Sequence, residues 1–192
     1  ERDAFLDQLR TSARDIGFFY LINHGVNDEL QRAVQHEARR FFALNDEQKQ
    51  QVAMIHSPHF RGYNRAASEI TRGKPDWREQ FDIGAERPEL LLSDSDPRWR
   101  RLQGPNLWPA EQPELKTTLL DWQKSMTEMA IVLLRAFAEA LRLPANAFDA
   151  LYGDKPNEHI KLIRYPGQDN TQSNQGVGAH KESGFLSFLL QD

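Results

Sequence analysis

A histidine and a carboxylate stand two residues apart in Gly178-Ala-His180-Lys-Glu182-Ser-Gly184, just ahead of the apolar run Phe185-Leu-Ser-Phe-Leu-Leu-Gln191. In an extended strand, residues i and i+2 face the same side, so His180 and Glu182 can converge on one cation while Lys181 points away. Completed by a second histidine, such a set leaves one face of the ion open to O2 and a co-substrate. That openness argues for non-haem Fe(II) over a closed structural zinc site. The chain holds 6 His and 28 Asp+Glu, so a bare His-x-Glu pair also arises in ordinary solvated loops, and its place relative to the strands decides its meaning.

The elements that must position this pair follow from periodicity. Residues 3–16 carry Phe5, Leu6, Leu9, Ala13 and Ile16 at helical spacing, and Gly17 stops the pattern. Phe18-Phe-Tyr-Leu-Ile22 is a continuous apolar run, expected to be a strand buried on both faces and ended by the turn residues Asn23-His-Gly25. A second amphipathic helix starts at Asn27 or Asp28, with Leu30, Ala33, Val34, Ala38, Phe41 and Phe42 on its apolar face. A short charged helix is expected near Asp46 to Val52. Residues 56–110 then read as loops with strand-like pieces at Phe60-Arg-Gly-Tyr63 and Glu79-Gln-Phe-Asp-Ile83. The longest helical pattern runs from about Glu114 to Leu143, with Pro144 marking its end. A short helix over Asn146 to Tyr152, a strand over Ile160 to Tyr165, a polar loop and a last strand at Phe185 to Leu190 complete an α+β order.

Composition narrows the function. The 192 residues, 39% of them hydrophobic, suffice for one real core. Lys and Arg number 24 against 28 acidic residues, with both signs scattered, so no basic face for nucleic acid or anionic lipid stands out. With Cys at 0, any metal must be held by His and carboxylates. No stretch approaches the roughly 20 apolar residues of a membrane span. We therefore expect a cytoplasmic protein with a small-molecule partner and neither nucleic acid nor membrane. Glu1 is not an initiator Met, and the sequence stops at Asp192 directly after a strand-like run, so we expect a longer parent chain.

Three ordered segments carry a resemblance. His180 with its Gly178-Ala lead and the following Ser-Gly-Phe-Leu-Ser-Phe-Leu-Leu-Gln-Asp192 looks like the first iron-binding strand of the isopenicillin N synthase-like, 2-oxoglutarate-using Fe(II) oxygenases. Gly17-Phe-Phe-Tyr-Leu-Ile-Asn-His-Gly-Val26 resembles that family's N-terminal strand and turn, and Lys161-Leu-Ile-Arg-Tyr-Pro166 the strand before the metal loop. The resemblance implies a double-stranded β-helix, or jelly roll, with an N-terminal helical region, the sequence stopping partway through the jelly roll. It divides the chain into an N-terminal oxygenase region over 1–110, supporting helices over 111–158, and the start of the Fe(II)-binding core over 159–192.

Carried over by position, His180 is the first iron ligand, and Glu182 stands where the family has Asp, a departure that lengthens the arm by one methylene. Tyr165 matches a position whose hydroxyl can bond a carboxylate of co-substrate or substrate. The implied reaction uses Fe(II), 2-oxoglutarate and O2 to oxidise a small organic substrate by hydroxylation, desaturation or ring closure, with release of succinate and CO2. Two rivals remain: a jelly-roll binding module whose iron site Glu182 has weakened, and an Fe(II) oxidase that dispenses with 2-oxoglutarate. The resemblance puts a second His and an Arg-x-Ser pair further along than Asp192.

Other residues read as structural. His24 is a turn histidine that caps or packs, and His56 and His59 belong to a polar Pro-containing loop. His36 and His159 have no acidic partner at useful sequence spacing. Arg61-Gly-Tyr63 and Asp76-Trp-Arg-Glu79 fit surface turns or a packing Trp as well as a pocket wall, and support no site.

Overall fold

The computed structural model describes residues 1–167, 174–182 and 184–192. Helices α1 (Arg2–Asp15), α2 (Asp28–Ala43) and α3 (Asp46–Gln51) come first. Strands β1 (Gly62–Asn64), β2 (Ile70–Thr71), β3 (Lys74–Pro75) and β4 (Glu79–Gly84) follow, then helices α4 (Pro113–Ala140) and α5 (Asp149–Tyr152), and strand β5 (His159–Arg164).

Local chemistry explains the boundaries. Asn27 caps α2 by accepting from the Glu29 and Leu30 amides, and Asn45 with Gln48 forms a reciprocal capping box on α3. The long helix stops before Pro144 for a reason other than the proline. Arg142 takes φ 62°, the Leu143 amide reaches back to the Ala138 carbonyl, and the Arg142 amide reaches Glu139, so the last carbonyls are closed by a left-handed cap.

Sheet order is β1-β4-β5, antiparallel throughout, beside the separate β2-β3 hairpin. All six residues of β4 are buried, as suits a central strand. Phe81 of β4 stacks on Phe41 of α2 with ring centroids 4.5 Å apart, and Phe42 and Tyr63 surround Phe41 edge-on. Leu115, Leu119 and Trp122 of α4 and Leu162 of β5 close this core. No helix among the described residues is long and apolar enough to cross a membrane.

Two expected strands do not form. Phe18-Phe-Tyr-Leu-Ile22 is bracketed by the positive-φ residues Gly17 and Asn23, and Phe18, Tyr20 and Ile22 are exposed, with Tyr20 at 94%. Among the described residues no backbone ladder partners this run, and an apolar run with no ladder cannot be an inner strand; Phe19 instead leans on Phe137 of α4 at 6.3 Å. The run from Phe185 to Leu190 is likewise irregular, with Leu189 at 88% exposure. Phe185 packs on Phe148, just ahead of α5, at 5.1 Å, and just past the run the Gln191 carbonyl accepts from Gln35 of α2; neither neighbour offers a ladder to extend. The polar loop expected after Pro166 falls largely on 168–173, outside the described residues.

Because Phe41 has no exposure and touches three rings, Phe41→Ala is expected to lower unfolding free energy in urea by about 3–5 kcal/mol. Leu91→Ala, at a fully exposed position, should stay within about 0.5 kcal/mol.

Candidate metal centre

His180 and Glu182 lie on irregular chain, not on the strand that their spacing suggests, yet their side chains meet: His180 Nε2 is 3.5 Å from Glu182 Oε1. The other ring nitrogen, Nδ1, lies 2.8 Å from the Gly178 carbonyl oxygen. A carbonyl only accepts, so Nδ1 carries a proton, which leaves Nε2, on the side of the carboxylate, as the nitrogen that can ligate a cation. The second Glu182 oxygen accepts from the Ser187 hydroxyl at 3.1 Å, which turns Oε1 toward the imidazole. Two ligands in adjacent positions about 2.1 Å from one cation sit roughly 3 to 3.5 Å apart, so this pair fits two corners of a metal site. Both side chains are accessible, at 48% and 67%. Among the described residues no group of three His, Cys, Asp or Glu converges on one point, so the pair stands without a third such ligand there.

The chain leading into His180 is clamped. Asp76, with no exposure, accepts from Thr71 Oγ1 at 2.6 Å, Gln175 Nε2 at 2.8 Å and the Gly178 amide at 3.1 Å. Burial by itself pushes this carboxyl up, but the three donors and nearby Arg78 outweigh it and hold its pKa below the ordinary carboxylate value. Trp77 adds two bonds, from its amide to the Gln175 carbonyl at 2.8 Å and from its indole to the Pro166 carbonyl at 3.0 Å.

Tyr165 follows β5 and is 54% exposed. Its ring lies against Gly176, where an added Cβ would come within 2.9 Å of it, so Tyr165 meets the same arm two residues before Gly178. Its hydroxyl bonds Arg78, a guanidinium that also holds Glu69 at 3.0 Å; burial works against the Arg78 charge, but these partners outweigh it and its pKa is raised.

Sequence reasoning passed over Asp76-Trp-Arg-Glu79, which supplies the clamp, and Asp82. Asp82 has no exposure and receives His159 Nε2 at 2.7 Å and Lys161 Nζ at 3.1 Å from β5, so His159 does have an acidic partner, brought by strand register. The available signal was a cluster of ionisable residues running into the strand-like piece Glu79–Ile83, since charges that a strand carries into a core require partners. His24 and His59 are structural: His24 Nδ1 accepts from the Val26 amide, and buried His59 bonds the Arg101 carbonyl at 2.7 Å.

Comparison with known proteins agrees with this architecture. The family model described as non-haem dioxygenase in morphine synthesis, N-terminal, matches residues 1–111. A 2-oxoglutarate-dependent dioxygenase, frbJ, of Dothideomycetidae sp. (strain 11243) is 36% identical over 99% of this chain and 52% of its own length. A homoarginine-6-hydroxylase of Arabidopsis thaliana is 31% identical over 97% of this chain and 57% of its own. Among solved structures, a 2OG-Fe(II) oxygenase family protein from Caulobacter crescentus superposes with TM-score 0.72 at 26% identity, covering 90% of this chain and 54% of that one. A full-length Neurospora crassa protein, solved in complex with alpha-KG and 5-formyluracil, gives TM-score 0.64 at 27% identity, covering 84% of this chain and 46% of that one. The chain thus spans about half the length of the relatives it matches.

A depressed carboxyl stabilises the fold above its unfolded value near 4 and loses that contribution as pH falls through its lower folded value. Asp76→Asn should therefore be less stable than the parent by a constant margin between about pH 5 and 7, narrowing toward pH 2. Urea unfolding at stepped pH reads the margin, and one that persists undiminished at pH 2 would contradict the assignment.

Proposed function

This chain belongs to the non-haem, 2-oxoglutarate-dependent Fe(II) dioxygenase family, and from that premise we propose that it carries out oxidation of a small organic substrate with Fe(II), 2-oxoglutarate and O2. The observation that carries the reading is the convergence of His180 Nε2 with Glu182 Oε1 at 3.5 Å, the other ring nitrogen being engaged by the Gly178 carbonyl. These two side chains would hold the iron, with the family's second histidine to be supplied from outside the described residues. When bound, the iron and its co-substrate supply the power to activate O2 and oxidise a C–H bond, with release of succinate and CO2. The chain's own residues orient and shield. The Gly178 carbonyl orients the His180 ring, Ser187 restrains the longer Glu182 arm, and half-exposed Tyr165, whose hydroxyl also bonds Arg78, stands near the arm to meet a carboxylate of co-substrate or substrate.

The sheet β1-β4-β5 is read as part of a double-stranded β-helix, a reading supported by the likeness to family members of that class. The three-part organisation over 1–110, 111–158 and 159–192 goes with it. A cytoplasmic setting, where reductants keep iron ferrous, suits the same proposal.

Anaerobic Fe(II) titration of the intact protein, with and without 2-oxoglutarate, tests the proposal through the visible charge-transfer band of the chelated complex. The band should appear with 2-oxoglutarate, decay with succinate release on admitting O2, and be lost in His180→Ala. Glu182→Asp should bind Fe(II) within about threefold of the parent if Ser187 already sets the carboxylate, well short of the roughly 10- to 100-fold that supporting contacts carry. A gain of about tenfold or more in Glu182→Asp would favour the weakened binding module, since that is the scale on which a metal site's supporting contacts act. Iron binding without a 2-oxoglutarate-dependent band would favour the 2-oxoglutarate-independent oxidase.

A further inference from the structure

Among the described residues, Asp76 is the fully buried carboxylate whose partners lead directly to the candidate ligands. It lies between the β2-β3 hairpin and β4, and its two oxygens divide their work. Oδ2 takes the Thr71 hydroxyl of the hairpin, while Oδ1 takes both Gln175 and the Gly178 amide of the arm. Charge-assisted bonds of this kind are about twice as strong as neutral ones, so the arm is tied to the hairpin by the stronger class of contact. Gln175 doubles the tie by also approaching the Thr71 and Lys74 carbonyls at 3.3 Å.

Packing reinforces it. A Cβ on Gly178 would fall 2.5 Å from Thr71 Cγ2, so this residue seats its bare α-carbon on the hairpin as well as giving up its amide to Asp76. With the nitrogen and the α-carbon of Gly178 both held, rotation about its Cα–C bond is the freedom left to its carbonyl, and that carbonyl in turn accepts from His180 Nδ1 and orients the ring. No strand ladder holds residues 178–182, so the clamp does for the imidazole what sheet pairing would otherwise do.

We propose that Asp76 is a positioning residue for the metal-binding histidine, acting through Gly178 to aim His180 Nε2 at the cation without touching it. The inference rests on the iron-binding reading of His180 and Glu182. Partners at this remove from a metal are typically worth about 10- to 100-fold in metal affinity.

The test is anaerobic Fe(II) affinity of the intact protein, alongside metal-free thermal stability, for Asp76→Ala, Asp76→Asn, Gly178→Ala and His180→Ala. Asp76→Ala should bind Fe(II) at least about tenfold more weakly. Asp76→Asn should recover most of that loss: its Oδ1 still accepts from Gln175 and Gly178, and the Thr71 hydroxyl can turn to accept from the new amide. A merely structural role would instead lower the melting temperature while leaving the folded protein's iron affinity unchanged, and that result in Asp76→Ala overturns the proposal. Should Asp76→Ala fail to fold, Gly178→Ala carries the test, because it crowds Thr71 and shifts the arm with Asp76 intact; a folded Gly178→Ala with parental affinity overturns it equally. His180→Ala separates the two levels: parental binding there sinks the iron site itself, whereas lost binding there with retained binding in Asp76→Ala sinks only the positioning role.

Discussion

Carboxylates buried in the central strand constrain everything around them. Strand β4 is inaccessible along its whole length, yet it carries Glu79 and Asp82, and an ionised carboxylate cannot remain in such surroundings without cations and donors at hand. Glu79 is met by Lys49 of α3 at 3.2 Å, by the Tyr63 hydroxyl of β1 at 2.6 Å and by Arg164 of β5. Burial, and then the bond to Glu79, raise the Tyr63 pKa, so this phenol stays a donor at any ordinary pH. Asp82 is met by His159 and Lys161, again from β5.

Those pairings fix register more tightly than apolar burial alone. Glu79 lies directly opposite Arg164 and Asp82 opposite Lys161. A slip of one residue would set both carboxylates against Ile163 or Ile160 neighbours and strand four charges, while also turning Leu162 out of the core. Because β5 is pinned at both ends in this way, Tyr165 and Pro166 leave the sheet at a defined point. The Pro166 carbonyl is then placed to take the Trp77 indole, and the arm that continues through Gln175 and Gly178 to His180 is drawn over Asp76. The candidate metal pair is thus tied, through Gly178 and Asp76, to the segment that leads into β4.

What could be read from sequence divides along this line. Helices α1, α2 and α4 and the strands β4 and β5 have apolar periods or caps that act over a few residues, and they lie where those patterns put them. Residues 18–22 and 185–190 misled because apolarity licenses a strand only where another backbone supplies the ladder, and that is a property of the fold and not of the run. His180 and Glu182 were legible as a pair from spacing and context, although the local backbone that unites them is irregular. Asp76 and the His159–Asp82 pair were not, since their partners lie 102 and 77 residues away, and composition carries no trace of such separations.

The longer carboxylate at 182 fits within the same scheme. One added methylene gives Glu a further rotatable bond, and restraining such a bond costs a fraction of a kcal/mol to about 1 kcal/mol in rotamer freedom. Ser187 opposes that freedom by holding one oxygen, leaving the other turned toward the imidazole. The Ser187 bond lies at an exposed site, where a neutral donor to a carboxylate contributes modestly, so it biases the arm without locking it. The imidazole, by contrast, is held through Gly178 by a buried charge. Of the two proposed ligands, His180 is the rigid one and Glu182 the adjustable one, and a cation entering between them would find its position set by the histidine and its distance trimmed by the glutamate.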